Sequence, residues 1–79
     1  MSFPKTEEQW ARQASAYLKS EMKRAGVTYI EVAKRLKKYG LTETEASITN
    51  KLMRGTFPAT FLLAVLAAIK LDGVRLEDL

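Results

Sequence analysis

Seventy-nine residues, 47% hydrophobic and 28% charged, describe one small globular domain over residues 1–79, because a chain this short buries only about 60 to 65% of the surface it exposes unfolded. With neither cysteine nor histidine, disulfide frameworks, thiol chemistry, the common zinc sites and the usual neutral-pH proton shuttle are excluded, and no metal or cofactor is expected. The formal net charge of +4 suits a nucleic acid, an anionic membrane surface or an acidic protein equally, and separates none of them.

The stretch MSFPKTEEQW carries no basic-then-apolar signal pattern. The longest apolar run, around Phe61 to Ile69, is shorter than the roughly 20 residues that span a bilayer. The expectation is a cytoplasmic protein without membrane attachment.

Four helices are predicted in chain order. Thr6-Glu7-Glu8-Gln9 announces the first as a capping box, in which Thr6 accepts from an exposed amide and Gln9 reaches back. Trp10, Ala14, Tyr17, Leu18 and Met22 line its apolar face at intervals of three and four. Its ends carry glutamates first and Lys19, Lys23 and Arg24 last, the order the helix dipole favours. Gly26 stops it, since glycine accepts the left-handed backbone of a helix exit.

A second capping box, Thr28 to Glu31, starts helix two, which runs to about Tyr39 with Tyr29, Val32, Ala33 and Leu36 on one face. Lys34, Arg35, Lys37 and Lys38 form a basic outer face near its C-terminus. Helix three follows at once from Thr42-Glu43-Thr44-Glu45, read as a third box. Ile48 and Leu52 form its apolar seam, Ser47, Thr49, Asn50 and Lys51 face outward, and Gly55 closes it.

Helix four differs in kind. Pro58 suits its first turn, and from Ala59 to Ile69 only Thr60 is polar, so nearly every side should be covered. Phe61, Leu62, Val65, Leu66 and Ile69 are expected to centre the core. The tail LDGVRLEDL has a turn signal at Asp72-Gly73 and apolar anchors at Val74, Leu76 and Leu79, predicting a docked last turn.

An all-α chain of four to five short helices in this order resembles the repressor-type helix-turn-helix domains of the Cro and phage-repressor (XRE-like) superfamily. The resemblance covers about Leu18 to Leu79. It is carried by Gly26-Val27-Thr28, by Ala33, by Arg54-Gly55 and by the ending Gly73-Val74-Arg75-Leu76-Glu77-Asp78-Leu79. More narrowly, GVTYIEVAKRL followed by NKLMRGTFPATF is similar to a family of short bacterial proteins known only as a domain of unknown function. Two departures from the repressor pattern stand out: helix two is longer by nearly a turn before Gly40, and Tyr29 occupies the place often held by glutamine.

The resemblance implies a DNA-binding transcriptional regulator that places the helix from Glu43 to Met53 in the major groove of double-stranded DNA and works as a homodimer. On that reading Ser47, Thr49, Asn50 and Lys51 face bases, and Tyr29, Lys34, Lys37, Lys38 and Arg54 hold phosphates. Glu43 and Glu45 sit awkwardly for a polyanion, and a cap-and-dipole role is the favoured account of both. Tyr17, Tyr29 and Tyr39 could stack on bases, although such spacing usually marks core or rim. The alternative is a protein-interaction module that keeps the fold without binding DNA. No carboxylate pair or nucleophile-base arrangement points to an enzyme.

Overall fold

Threonine hydroxyls set three of the four helix starts in the computed structural model, which describes residues 2–70 and Leu76. The described residues form an all-α bundle of α1 (Glu7–Ala25), α2 (Tyr29–Lys38), α3 (Glu45–Arg54) and α4 (Ala59–Ala68). Thr6, Thr28 and Thr44 each accept a hydrogen bond from the backbone N–H three residues on, which satisfies one of the amides a helix start leaves open. Pro58 precedes α4 without a side-chain cap.

The boxes are less uniform than their spelling. Gln9 Oε1 accepts from the Lys5 N–H at 2.8 Å rather than from Thr6. Glu31 lies 3.9 Å from Arg35 Nε. The full box belongs to Thr44 and Ser47, so α3 starts at Glu45 and not at Glu43. Residues 39–44 intervene after α2, where the sequence had α3 following at once, and Thr42 is not its cap. The reason is tertiary: Glu43 turns its carboxylate inward, onto Ser47 and Lys51.

Two helix exits share one geometry. The Gly26 and Val27 N–H groups donate to Lys23 O and Met22 O, and those of Gly40 and Leu41 to Lys37 O and Leu36 O. In each pair the glycine has positive φ, and the apolar residue after it meets the core, as in a Schellman ending.

α3 contacts both α1 and α2, and α2 also contacts α4. The core takes Leu18 and Met22 from α1, Val32, Ala33 and Leu36 from α2, Ile48 and Leu52 from α3, and Phe61, Val65, Leu66 and Ala68 from α4. Each large side chain among them contributes about 1.5–3 kcal/mol by leaving water. Ile69 is buried as expected and Leu62 is partly so.

Two expectations fail at the margins. Trp10 is exposed and stacks on Phe3 at 6.1 Å instead of entering the core. α4 is not covered all round: Leu63 is 64% exposed and Ala67 faces out, since α2 is the helix that lies against it among the described residues. The predicted docking of residues 71–79 lies outside the described residues apart from Leu76, whose side chain is exposed.

Gly55 is the tightest point. Its φ of +70 lies in the left-handed region, and a Cβ there would overlap the Ala11 carbonyl and stand 2.9 Å from Ala11 Cβ. Gly26 has the same backbone conformation with nothing within 4 Å. Gly26→Ala should therefore cost about 1–2 kcal/mol from backbone strain alone, and Gly55→Ala about 2–5 kcal/mol once overpacking is added. Urea unfolding of both variants measures the gap; equal losses would show that α1 and α3 separate freely at this junction.

Candidate nucleic-acid interface

The outward side of α3 follows from what its inward side is bound to. Ile48 and Leu52 are buried, and at 100° per residue the opposite surface carries Ala46, Asn50, Met53 and Arg54. All four are exposed, with Met53 at 75%.

The four residues expected to face bases do not stand together. Ser47 Oγ accepts from the Thr44 N–H at 2.8 Å and lies 2.6 Å from Glu43 Oε1, to which its hydroxyl donates. Lys51 Nζ reaches the same carboxylate at 3.1 Å and sits 5.6 Å from the Phe61 ring centroid. Thr49 donates its hydroxyl proton to Glu45 O at 2.9 Å. Ser47, Thr49 and Lys51 are each half-buried, so the expectation that they face outward is corrected, and Asn50 alone of the set is exposed. A polar helix face seen in the sequence has no memory of which side the neighbouring loop will occupy; here residues 41–44 and α4 claim the Ser47 and Lys51 side.

Glu43 is the centre of that side. Its side chain is 10% exposed and that of Lys51 22%, and a carboxylate held there by an ammonium and a hydroxyl is a paired charge, not a free one. Glu43 thus acts outside the helix that it was expected to cap. Glu45 stays in the first turn and exposed, where the helix dipole favours it.

The basic residues of α2 divide. Lys34, Lys37 and Lys38 are exposed, while Arg35 donates from a guanidinium nitrogen to Ala68 O at 3.0 Å and closes the end of α4. Tyr29 and Tyr17 are half-buried against the core and Tyr39 is exposed, so the phosphate role expected for Tyr29 meets a side chain largely spent on packing. Arg54 is exposed at the end of α3.

Sequence reasoning missed Ala46 and Met53 as outward residues. The signal was present: they stand opposite the Ile48–Leu52 seam, but apolar side chains on a helix are read first as core.

An all-α bundle with two threonine-capped central helices is the class that this geometry defines. Within it, the family model described as a domain of unknown function (DUF6471) matches residues 10–74, and the chain belongs to that family. The match begins inside α1, ahead of Leu18, so the unit includes the helix against which Gly55 is pressed. No curated protein and no solved structure matches the chain. No single helix among the described residues is long and apolar enough to cross a membrane.

Removing Glu43 should expose how much this network holds. Glu43→Ala leaves a partly buried Lys51 without its partner and is expected to cost about 1–3 kcal/mol, and Ser47→Ala about 1 kcal/mol through loss of the hydroxyl that accepts from the Thr44 N–H and donates to Glu43. A double-mutant cycle of Glu43→Ala with Lys51→Met reads the pair directly; zero coupling would mean that the two charges are solvated independently.

Proposed function

We propose that this protein binds double-stranded DNA and regulates transcription, with the outer face of α3 in the major groove. The observation that carries this reading is the division of α3 into two sides. Ser47, Thr49 and Lys51 are satisfied within the fold, whereas the side chain of Asn50, at the centre of the outer side, makes no hydrogen bond among the described residues and is exposed. An exposed amide can pair bidentately with adenine, a neighbouring alanine methyl suits the thymine methyl, and Arg54 can meet phosphate or guanine. Lys37 extends the phosphate contacts from α2.

The pairing of Glu43 supports the same reading. Its charge is matched by Lys51, which removes one of the two carboxylates that stood against a polyanion. Glu45 remains, and it can accept from cytosine N4 at a helix start. A homodimer follows from size: a single small module buries only about 600–1,000 Å² on DNA, and two-fold pairing adds a second half-site.

A second reading, a protein-interaction module that no longer binds DNA, is favoured by the apolar exposure of Met53 at 75%, Leu63 at 64% and Ile30 at 51%. It is also favoured by residues 39–44 between α2 and α3, a connection longer than the turn of about three to four residues in helix-turn-helix units.

Selection from a random DNA pool, followed by anisotropy titrations over a range of salt, decides between them. Binding should weaken linearly in log–log form with a slope of about −0.9 per phosphate contact. Asn50→Ala should lose about 1–3 kcal/mol of base preference, and Lys37→Ala should weaken all sequences alike. Affinity that ignores salt, or an Asn50→Ala variant with its preference intact, would remove α3 from the groove.

A further inference from the structure

The structure assigns a phosphate-binding site to a place that shares no residue with the outer face of α3. α2 and the end of α4 border an open cleft of about 550 Å³, lined among the described residues by Glu31, Lys34, Arg35, Lys38, Tyr39, Ala68 and Lys70. That volume falls within the range of about 300–1,000 Å³ typical of ligand sites.

The cations here differ in what they are already doing. Arg35 is spent: it bonds Ala68 O at 3.0 Å and stands 3.9 Å from Glu31, the one carboxylate lining the cleft among the described residues. Arg35 therefore fixes the floor by tying α2 to the end of α4, and it also neutralises the local acid. Lys34, Lys38 and Lys70 make no ion pair among the described residues. Three lysines without an ion pair among the described residues thus line one concavity, and an anion bound there lowers whatever repulsion their ammonium groups share.

Compensation of helix dipoles explains this set only in part. Lys38 ends α2, where the dipole favours a cation, but Lys34 lies in the middle of that helix and Lys70 lies beyond α4. Lys70 has φ +62, the positive-φ residue that is not glycine among those described, a conformation that costs energy for a side chain of this kind. The Tyr39 side chain is 54% exposed at the cleft, with a hydroxyl that can donate to a phosphate oxygen.

The ligand chemistry is a cluster of phosphate groups, because one phosphate is too small for the volume and carries too little charge for three lysines. A nucleic-acid backbone and a polyphosphorylated small molecule both supply it. Lys37, assigned above to duplex phosphates, is not among the lining residues, so its variant controls the tripolyphosphate arm alone.

The test is a two-dimensional NMR titration of the full chain with inorganic tripolyphosphate, and separately with a short DNA duplex, at matched ionic strength. Wild type is compared with a Lys34→Gln, Lys38→Gln, Lys70→Gln triple variant and with Lys37→Gln. Tripolyphosphate should shift the amides of residues 34–39 and 68–70, with affinity falling about tenfold or more in the triple variant and little in Lys37→Gln. Thermal unfolding should be unchanged, since the three lysines are exposed. If a backbone is the source, the triple variant also lowers the duplex salt slope by about one per lysine; an unchanged slope with tripolyphosphate still bound assigns the site to a small molecule. Tripolyphosphate and duplex both leaving these amides unmoved, or binding the triple variant as tightly as wild type, overturns the site. Base preference lost in Asn50→Ala while the cleft stays silent sinks the cleft alone, and a responsive cleft on a chain with no base preference sinks the reading of α3 alone.

Discussion

The pressing of Gly55 onto the backbone of Ala11 is the contact on which the rest of the arrangement depends. α3 can end there only in a left-handed conformation and only without a side chain. Ser15 of α1 donates its hydroxyl proton to Leu52 O at the same junction, so one of the last carbonyls of α3 is satisfied by α1 and not by water. With that end anchored, the inward direction of Ile48 and Leu52 is set, and the outward direction of Asn50 follows from helical geometry.

The other end of α3 is held by charge. Glu43, Ser47 and Lys51 form a chain of hydrogen bonds from the connecting loop to the middle of the helix, and Lys51 passes over the Phe61 ring on α4. A half-buried ion pair of this kind stabilises only when its remaining polar atoms have partners, and the Ser47 hydroxyl gives Glu43 a second one. The network also occupies two of the four polar side chains expected to face bases, Ser47 and Lys51. What remains outward, Ala46, Asn50, Met53 and Arg54, is narrower and more apolar than a polar helix face implies.

Charge is distributed with the same division of labour. Arg12, Arg24 and Arg35 are tied to carboxylates or to the backbone, whereas Lys34, Lys37 and Lys38 of α2 make no ion pair among the described residues. A guanidinium fork suits fixed geometry and a hydrated ammonium suits a mobile, screened partner. Membership of a family of unknown function leaves the activity to be argued from such sites, because a fold hosts many functions.

The all-α class, the threonine that caps each of the first two helices, the glycine exits and most of the core were legible in the sequence, because each is decided by neighbours within about one helical turn. Thr28 needs only its own Glu31 amide, and Leu36 needs only its place in the stripe. Glu43 is the contrasting case: its partner Lys51 is eight residues away, and that contact moved the start of α3, turned Ser47 and Lys51 inward and left Asn50 outermost. Trp10 was misplaced, and the cover expected around α4 was overstated, for the related reason that periodicity and composition mark a face without saying whether another helix reaches it. Local chemistry determined which segments became helices, and tertiary contact alone decided which of their faces met water, since burial belongs to the neighbour as much as to the residue.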